Sequence, residues 1–283
     1  MIKQGNLKYE KRLVAFIDVL GFKNIIDKSI KDKSRIKAIT DFITEVRDDF
    51  CVSERKLNRY KEEGRQNPNE VMTRKVTQFS DSLVVSYRED EESAVFHMLH
   101  TLFFLHFSAL QRSMLIRGCV VRGELFHTDE LLFGPALVDA VEKEKALASY
   151  PRIVCDNSVI ELGGVYHQKH HEPAEEQKYI FNLLTKDSDG LYYINYFTGI
   201  EEESDDGYDV IPYHLQKLKS IITEMAGVKS PSVYSKYLWL IERYNETLKH
   251  YKKLLNPLKV SEDLADTASF VQSLTSLNQG TAP

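Results

Sequence analysis

Two aspartates stand where a carboxylate could do more than solvate a turn. Asp18 closes the apolar run RLVAFID at residues 12–18, and Asp81 lies between two serines at the bend of KVTQFSDSLVVSY, residues 75–87. Asp and Ser are ordinary turn formers, because their side chains bond the local backbone. A second carboxylate brought beside the first changes the chemistry. Two such charges repel unless a cation or a proton compensates them. Hard oxygen ligands suit Mg²⁺ or Mn²⁺, which use one or two carboxylates and complete their shell with nucleotide phosphates. Asp18 and Asp81 are therefore the expected pair of metal ligands, provided the fold brings them to one edge.

The elements that must do so follow from periodicity. RLVAFID reads as a strand, and helical patterns follow at about 19–30 and 34–49. The charged stretch at 53–70 reads as an exposed loop or helix end, and strands at 71–80 and 82–88 flank Asp81. A helix at 91–113 has apolar positions nearly all round and should be well buried. A strand at 114–126, a helix at 134–148 opened by Gly134-Pro135, and a strand at 151–156 complete the series. The order β-α-α-β-β-α-β-α-β begins as a ferredoxin-like α+β sheet with one helix doubled. In that sheet the first strand is expected beside the strand entering the hairpin, which brings Asp18 and Asp81 to one edge.

The character changes near residue 160. GGVYHQKHHEPAEEQ reads as a loop, YIFNLL and GLYYINYF as a strand pair, and EEESDDG as an exposed acidic loop. Helices are expected at 212–226, 232–254 and 261–277. The division is thus a core at 1–160 and a C-terminal extension at 161–283, a strand pair then helices. Tyr234, Tyr237, Leu238, Ile241, Tyr244, Leu248 and Tyr251 fall at helical spacing and read as a packing face. The extension could enlarge an interface, cover a site or receive a signal.

Composition narrows the partners. The 283 residues carry a net charge of −5 and are 42% hydrophobic and 28% charged, ordinary for a soluble globular chain. That balance opposes binding to nucleic acid through bulk charge. Cys51, Cys119 and Cys155 are widely spaced, outside any CxxC or Cys/His metal pattern, and fit free thiols in a reducing compartment. MIKQGNLKYEKR has no hydrophobic signal core, and the longest apolar run, HMLHTLFFLHFSAL, is shorter than a membrane span. A cytoplasmic location with no membrane contact is expected.

Other signals lead to blander readings. His97, His100 and His106 share one helix but lack further ligands, so packing or surface roles are expected. HQKHH at 167–171 reads as exposed, and Asp187-Ser-Asp189-Gly190 as a turn, since the later ligands of a calcium loop are missing. Neither a Walker loop nor a dinucleotide-binding fingerprint occurs.

The segments FIDVLGF (16–22), FSDSLVVS (79–86), RGCVVRGELF (117–126) and FGPALVDAVEKEKAL…PRIV (133–154), in that order, resemble the class III nucleotidyl cyclases. Within that class they look most like the bacterial pyrimidine cyclases of the Pycsar antiphage system, over about residues 10–156. The resemblance implies a head-to-tail homodimer with active sites across the interface. It implies two divalent ions, Mn²⁺ or Mg²⁺, held by Asp18, Asp81 and the backbone carbonyl of Val19. It further implies conversion of UTP, or CTP, to the 3′,5′-cyclic monophosphate and pyrophosphate, with a product that acts on a separate effector protein. Nucleotide-binding roles fall on Lys75, Phe22, Arg117 and Arg122. Lys75 stands at the base-selecting lysine's offset, six residues before Asp81, whereas the second selector, usually polar, falls on Leu131. A site without that polar partner discriminates poorly for adenine, which fits a pyrimidine substrate.

One departure concerns the next helix. The Asn and Arg usual there fall on Val138 and Glu142, leaving Arg117, Arg122, Lys143 and Lys145 to supply the transition-state cation. Arg117 and Arg122 have odd separation on a strand, so only one of them can face a given site. The rival reading is a cyclase-shaped module without activity, serving as nucleotide sensor or dimerisation scaffold. A palm-type cyclase or polymerase relative ranks last, because the bend reads FSDS rather than GGDEF.

Overall fold

The computed structural model describes residues 8–50, 73–226 and 230–278. Cys51, the charged stretch at 53–70 and the first residues of the strand expected from 71 lie outside the described residues. The chain forms two compact units, Met1–Ile194 and Asn195–Pro283.

The first unit is an α+β fold built on one eight-stranded sheet. Its elements are β1 (Glu10–Val19), α1 (Phe22–Ser29), α2 (Lys33–Phe50), β2 (Lys75–Phe79), β3 (Ser82–Arg88), α3 (Ala94–Gln111), β4 (Ile116–His127), β5 (Leu132–Phe133), α4 (Pro135–Leu147) and β6 (Ile153–Cys155). Then come α5 (Asn157–Leu162), α6 (Pro173–Asn182), β7 (Leu184–Lys186) and β8 (Tyr192–Ile194). The strand order is β2-β3-β1-β4-β6-β8-β7, with β5 paired to β4. Its first four strands have the order 2-3-1-4, all antiparallel, of a ferredoxin-like sheet.

One neighbour differs from expectation. β1 pairs with β3, the strand leaving the hairpin, rather than with β2, the strand entering it. A β-α-β path returns parallel to its start, and the hairpin's second strand then fills the space between. The consequence for Asp81 is small, because the bend belongs equally to both strands.

The central strands are buried on both faces, in runs such as Arg12–Ala15, Leu83–Tyr87 and Gly118–Val121. Val14, Val84, Cys119 and Val121 form one apolar face with Ala136 and Ala140 of α4. On α3, buried side chains such as Met98, Leu99, Leu102, His106 and Leu110 occupy most of the circumference, as its composition requires. His97 of α3 pairs with Glu91 and His100 stacks on Phe96, so these imidazoles serve packing. Among the described residues no helix is long and apolar enough to cross a membrane.

Beyond β6 the elements differ from the sequence expectation. Pro173 opens a helix, with Glu175 and Glu176 in its first turn, inside a stretch that reads as a loop. Tyr179–Asn182, expected as strand, end that helix, and only Leu184–Lys186 continue as β7. β8 pairs with β6, so the strand pair belongs to the sheet and the first unit extends to Ile194 rather than 160. The turn between β7 and β8 sends Asp187 and Asp189 to the buried Arg152. β5, a two-residue strand, is too short to leave a periodic signature.

The second unit is helical: α7 (Ile200–Glu203), α8 (Val210–Met225), α9 (Pro231–Leu254) and α10 (Ala265–Ser273). Tyr237, Ile241, Tyr244, Leu248 and Tyr251 form the buried stripe of α9, while Tyr234 at its start is exposed. EEESDDG is partly ordered as α7, where Glu201 accepts a hydrogen bond from Tyr251 Oη at 2.7 Å.

Two buried histidines should make the first unit acid-labile. Burial pushes the His106 imidazole down to about 3. His127 is also held at about 3, by burial first and then by the Arg12 and Lys75 charges. Its ring nitrogens lie 2.8 Å from Ser86 Oγ and 2.8 Å from Thr77 Oγ1. Below the ordinary histidine pKa of about 6.5, the unfolded chain takes up these protons and the folded chain does not, so stability falls with pH. Each histidine should cost about 2 kcal/mol between pH 6.5 and 5. Urea midpoints measured across that window should fall, and His106→Leu should flatten the slope.

Candidate active site

Register explains how the site assembles. Asp18 is directly opposite Ser82 of β3 on one side and Arg117 of β4 on the other. Directly opposed residues project to the same face, so Asp18, Ser82 and Arg117 share one. Asp81 immediately precedes Ser82 in the two-residue bend between β2 and β3. The bend is tied to the end of β1, where Val19 N donates to Asp81 O at 3.1 Å. Ser80 takes a left-handed φ of 53° to make the turn. Gly21, with φ of 69°, turns the chain from Val19 into α1, which begins at Phe22. Gly118 lets β4 lie close against β1, since a Cβ there would collide with Phe16 O.

Asp18 and Asp81 lie at the same end of the sheet, near enough for the Asp81 charge to act on the Asp18 carboxyl. Burial raises the Asp18 carboxyl above its usual range, Arg117 opposes that rise, and the Asp81 charge adds to it. A half-buried carboxylate beside a second one is the arrangement that a cation relieves.

Arg117 pairs with Asp18 without being saturated by it. Its Nη2 is 3.4 Å from Asp18 Oδ2, and its Nη1 is 3.4 Å from Ala148 O. Its Nε lies 2.7 Å from Glu144 Oε1, but neither atom has a hydrogen-bond partner, so the contact is an ion pair with a misdirected N–H. The Glu144 side chain is only 2% exposed. Burial raises its carboxyl, Arg117 lowers it, and Asp18 raises it further. Glu144 went unrecognised in the sequence, yet it occupies the buried face of α4 with Ala136 and Ala140 at four-residue intervals. A charge in the third place of that stripe is the signal that marks it.

The remaining candidates separate. Phe22 and Asp81 line a small cavity with Val19, Phe42, Leu83 and Met114. Lys75 lies at the opposite end of β2, paired with Asp129 at 2.6 Å. Asp129 is a second residue unrecognised in the sequence; it lies two places before Leu131, which is itself exposed. Arg122 projects to the other face from Arg117 and pairs with the buried Glu89 at 3.0 Å. That pairing gives Arg122 a structural task away from the two aspartates. Val138 and Glu142 lie on the exposed side of α4, one turn apart. Lys143 is held by Asp139 and Asp156 at 3.0 and 2.7 Å, and Lys145 is exposed.

Among the described residues no three His, Cys, Asp or Glu side chains gather to hold a metal ion. Two carboxylates do not make an all-protein cage. As oxygen donors they fit Mg²⁺ or Mn²⁺ whose shell is completed by substrate phosphates and water, and the Asp81 charge that adds to burial in raising the Asp18 carboxyl is one a cation would offset.

No family model matches the chain, and no curated protein matches it. A solved structure of a bacterial light-regulated adenylyl cyclase is similar to it with a TM-score of 0.36 and 12% identity, covering 63% of this chain. The match spans 58% of that chain, less than two thirds of its length.

Proposed function

We propose that the first unit is a metal-dependent nucleotidyl cyclase that converts a pyrimidine nucleoside triphosphate, UTP ahead of CTP, to the 3′,5′-cyclic monophosphate and pyrophosphate. The observation that carries this reading is the charge of Asp81 acting on Asp18, itself ion-paired to Arg117 at 3.4 Å. The choice of pyrimidine, the ions and the biological setting come from the resemblance of the four segments.

Asp18, Asp81 and the Val19 carbonyl would hold two divalent ions, Mn²⁺ or Mg²⁺. Bound there, the ions would supply positive charge for the triphosphate and acidify the ribose 3′-hydroxyl. The chain's own contribution is positioning and charge, which carry most of the catalysis in phosphoryl transfer. Arg117 presents guanidinium N–H groups beside the carboxylates, in reach of a phosphate laid across them. Phe22 and the apolar lining of the neighbouring cavity limit water at the Asp81 end.

Lys75 lies six residues up the strand from Asp81, roughly 20 Å at strand spacing. At that distance it would reach a base only in the site of a second copy, as the head-to-tail homodimer implied by the resemblance requires. Leu131 offers a base no hydrogen bond, and Asp129 is engaged by Lys75. The cyclic product would act on a separate effector in antiphage defence.

The test is incubation of the purified chain with each of the four ribonucleoside triphosphates and Mn²⁺. Cyclic UMP or cyclic CMP is the expected product. Cyclic AMP or cyclic GMP alone would overturn the pyrimidine assignment. The second reading, an inactive nucleotide sensor or dimerisation scaffold, is favoured by Val138 and Glu142 at the places where the resemblance expects Asn and Arg. It predicts nucleotide binding with no product from any of the four.

A further inference from the structure

The guanidinium of Arg117 has five N–H donors, yet among the described residues its contacts are two of 3.4 Å and one close but off-axis ion pair. Such a cation is charge-compensated without being fully bonded. It is shared by two carboxylates of unlike setting, the partly exposed Asp18 and the enclosed Glu144. Asp18 and Glu144 set two negative charges against the Arg117 cation, with the Asp81 charge adding at Asp18 and the Lys145 charge opposing at Glu144, so the cluster stays short of positive charge. The guanidinium beside Asp18 Oδ2 would be repelled by a divalent cation held at Asp18, which would itself offset that shortage. Glu144 is the partner from which no such entry displaces it, because its carboxylate lies beneath α4 and away from solvent.

From this geometry we propose that Arg117 is a displaceable counter-ion: it screens Asp18 when no metal is bound, and metal binding frees it to turn about Glu144 towards an incoming phosphate. Glu144 is a positioning residue in this scheme, acting only through Arg117. The proposal rests on the metal site of the cyclase reading and deepens it. It makes metal entry and arginine release one event, so a nucleotide alone meets an occupied guanidinium.

The experiment is Mn²⁺ binding without nucleotide, measured by electron paramagnetic resonance on the full chain, with folding followed by circular dichroism. Arg117→Gln removes the competing cation and should bind Mn²⁺ at least about tenfold tighter, the equivalent of one lost charge-assisted contact. Glu144→Gln removes the second partner and leaves Arg117 on Asp18, so Mn²⁺ binding should weaken severalfold. These opposite signs are not what loss of packing alone produces. Should Glu144→Gln fail to fold, the Arg117→Gln result decides. Unchanged Mn²⁺ affinity in Arg117→Gln, with binding by the unmodified chain intact, overturns the counter-ion role and leaves the metal site standing. Absence of Mn²⁺ binding in both the unmodified chain and Arg117→Gln overturns the metal site and the counter-ion role together.

Discussion

Asp81→Ala is expected to lower cyclic nucleotide formation by more than about 10²-fold, the scale on which losing one charge-stabilising group acts in an active site. The fold should survive. Asp81 lies in a two-residue bend outside the β ladder, and its tie to β1 is the backbone bond from Val19 N to Asp81 O, which alanine retains. The variant also removes a carboxylate that burdens Asp18, so folding stability at neutral pH should not fall by more than about 1 kcal/mol. Product would be quantified by chromatography, with the urea midpoint followed in parallel. A scaffold keeps its assembly and its nucleotide binding in this variant, having no turnover to lose. A cyclase loses turnover while remaining folded, and it binds Mn²⁺ more weakly. Full turnover in Asp81→Ala would remove the reason for placing metal at this bend at all. Asp18→Asn should be equally inactive, but it also alters the partner of Arg117. Asp81 is therefore the cleaner position at which to separate chemistry from architecture.

The legible part of this site is the part fixed by local chain geometry. An apolar run ending in Asp18, and a polar bend between alternating residues at Asp81, each announce themselves within a few positions. The odd spacing of Arg117 and Arg122 on β4 likewise separates them without coordinates, and the structure pairs one with Asp18 and the other with Glu89. What could not be read depends on partners distant in sequence. The charge on Glu144 looks like one more polar residue of a helix rich in Glu and Lys until α4 is set against the sheet. The adjacency of β1 and β3 is a property of topology, since strand composition is the same for either neighbour. Residues 173–184 mislead for another reason. Tyr179, Ile180 and Phe181 favour strand by intrinsic preference, but Pro173 and the acidic first turn start a helix that carries them along.

The largest effect on folding should come from Asp187→Ala, with a loss of about 3–5 kcal/mol, the cost of leaving a buried charge without its partner. Arg152 is fully enclosed, its side chain 1% exposed, with Asp187 at 2% and Asp189 at 41%. Its guanidinium carbon lies 5.2 Å from the centroid of Tyr150 and 5.9 Å from that of Tyr193, so aromatic rings wall it from water. Asp189→Ala should cost much less, about 1 kcal/mol, because the exposed member of the pair gives up a screened interaction. Thermal melts of the two variants would separate these values, at roughly 2–4 °C per kcal/mol for a unit of this size. Equal melting temperatures would show that Asp187 is not the principal counter-charge. Replacing both partners, Arg152→Met with Asp187→Leu, should recover much of the loss, since apolar side chains carry no charge to desolvate. The pair also bears on the chemistry, because the Arg152 carbonyl accepts from Gly118 N at 3.1 Å and thereby docks β6 against β4 one residue from Arg117. A chain that keeps its fold after Asp187→Ala should therefore still lose nucleotide turnover, as the strand supporting Arg117 loosens, whereas the doubly apolar variant should regain it.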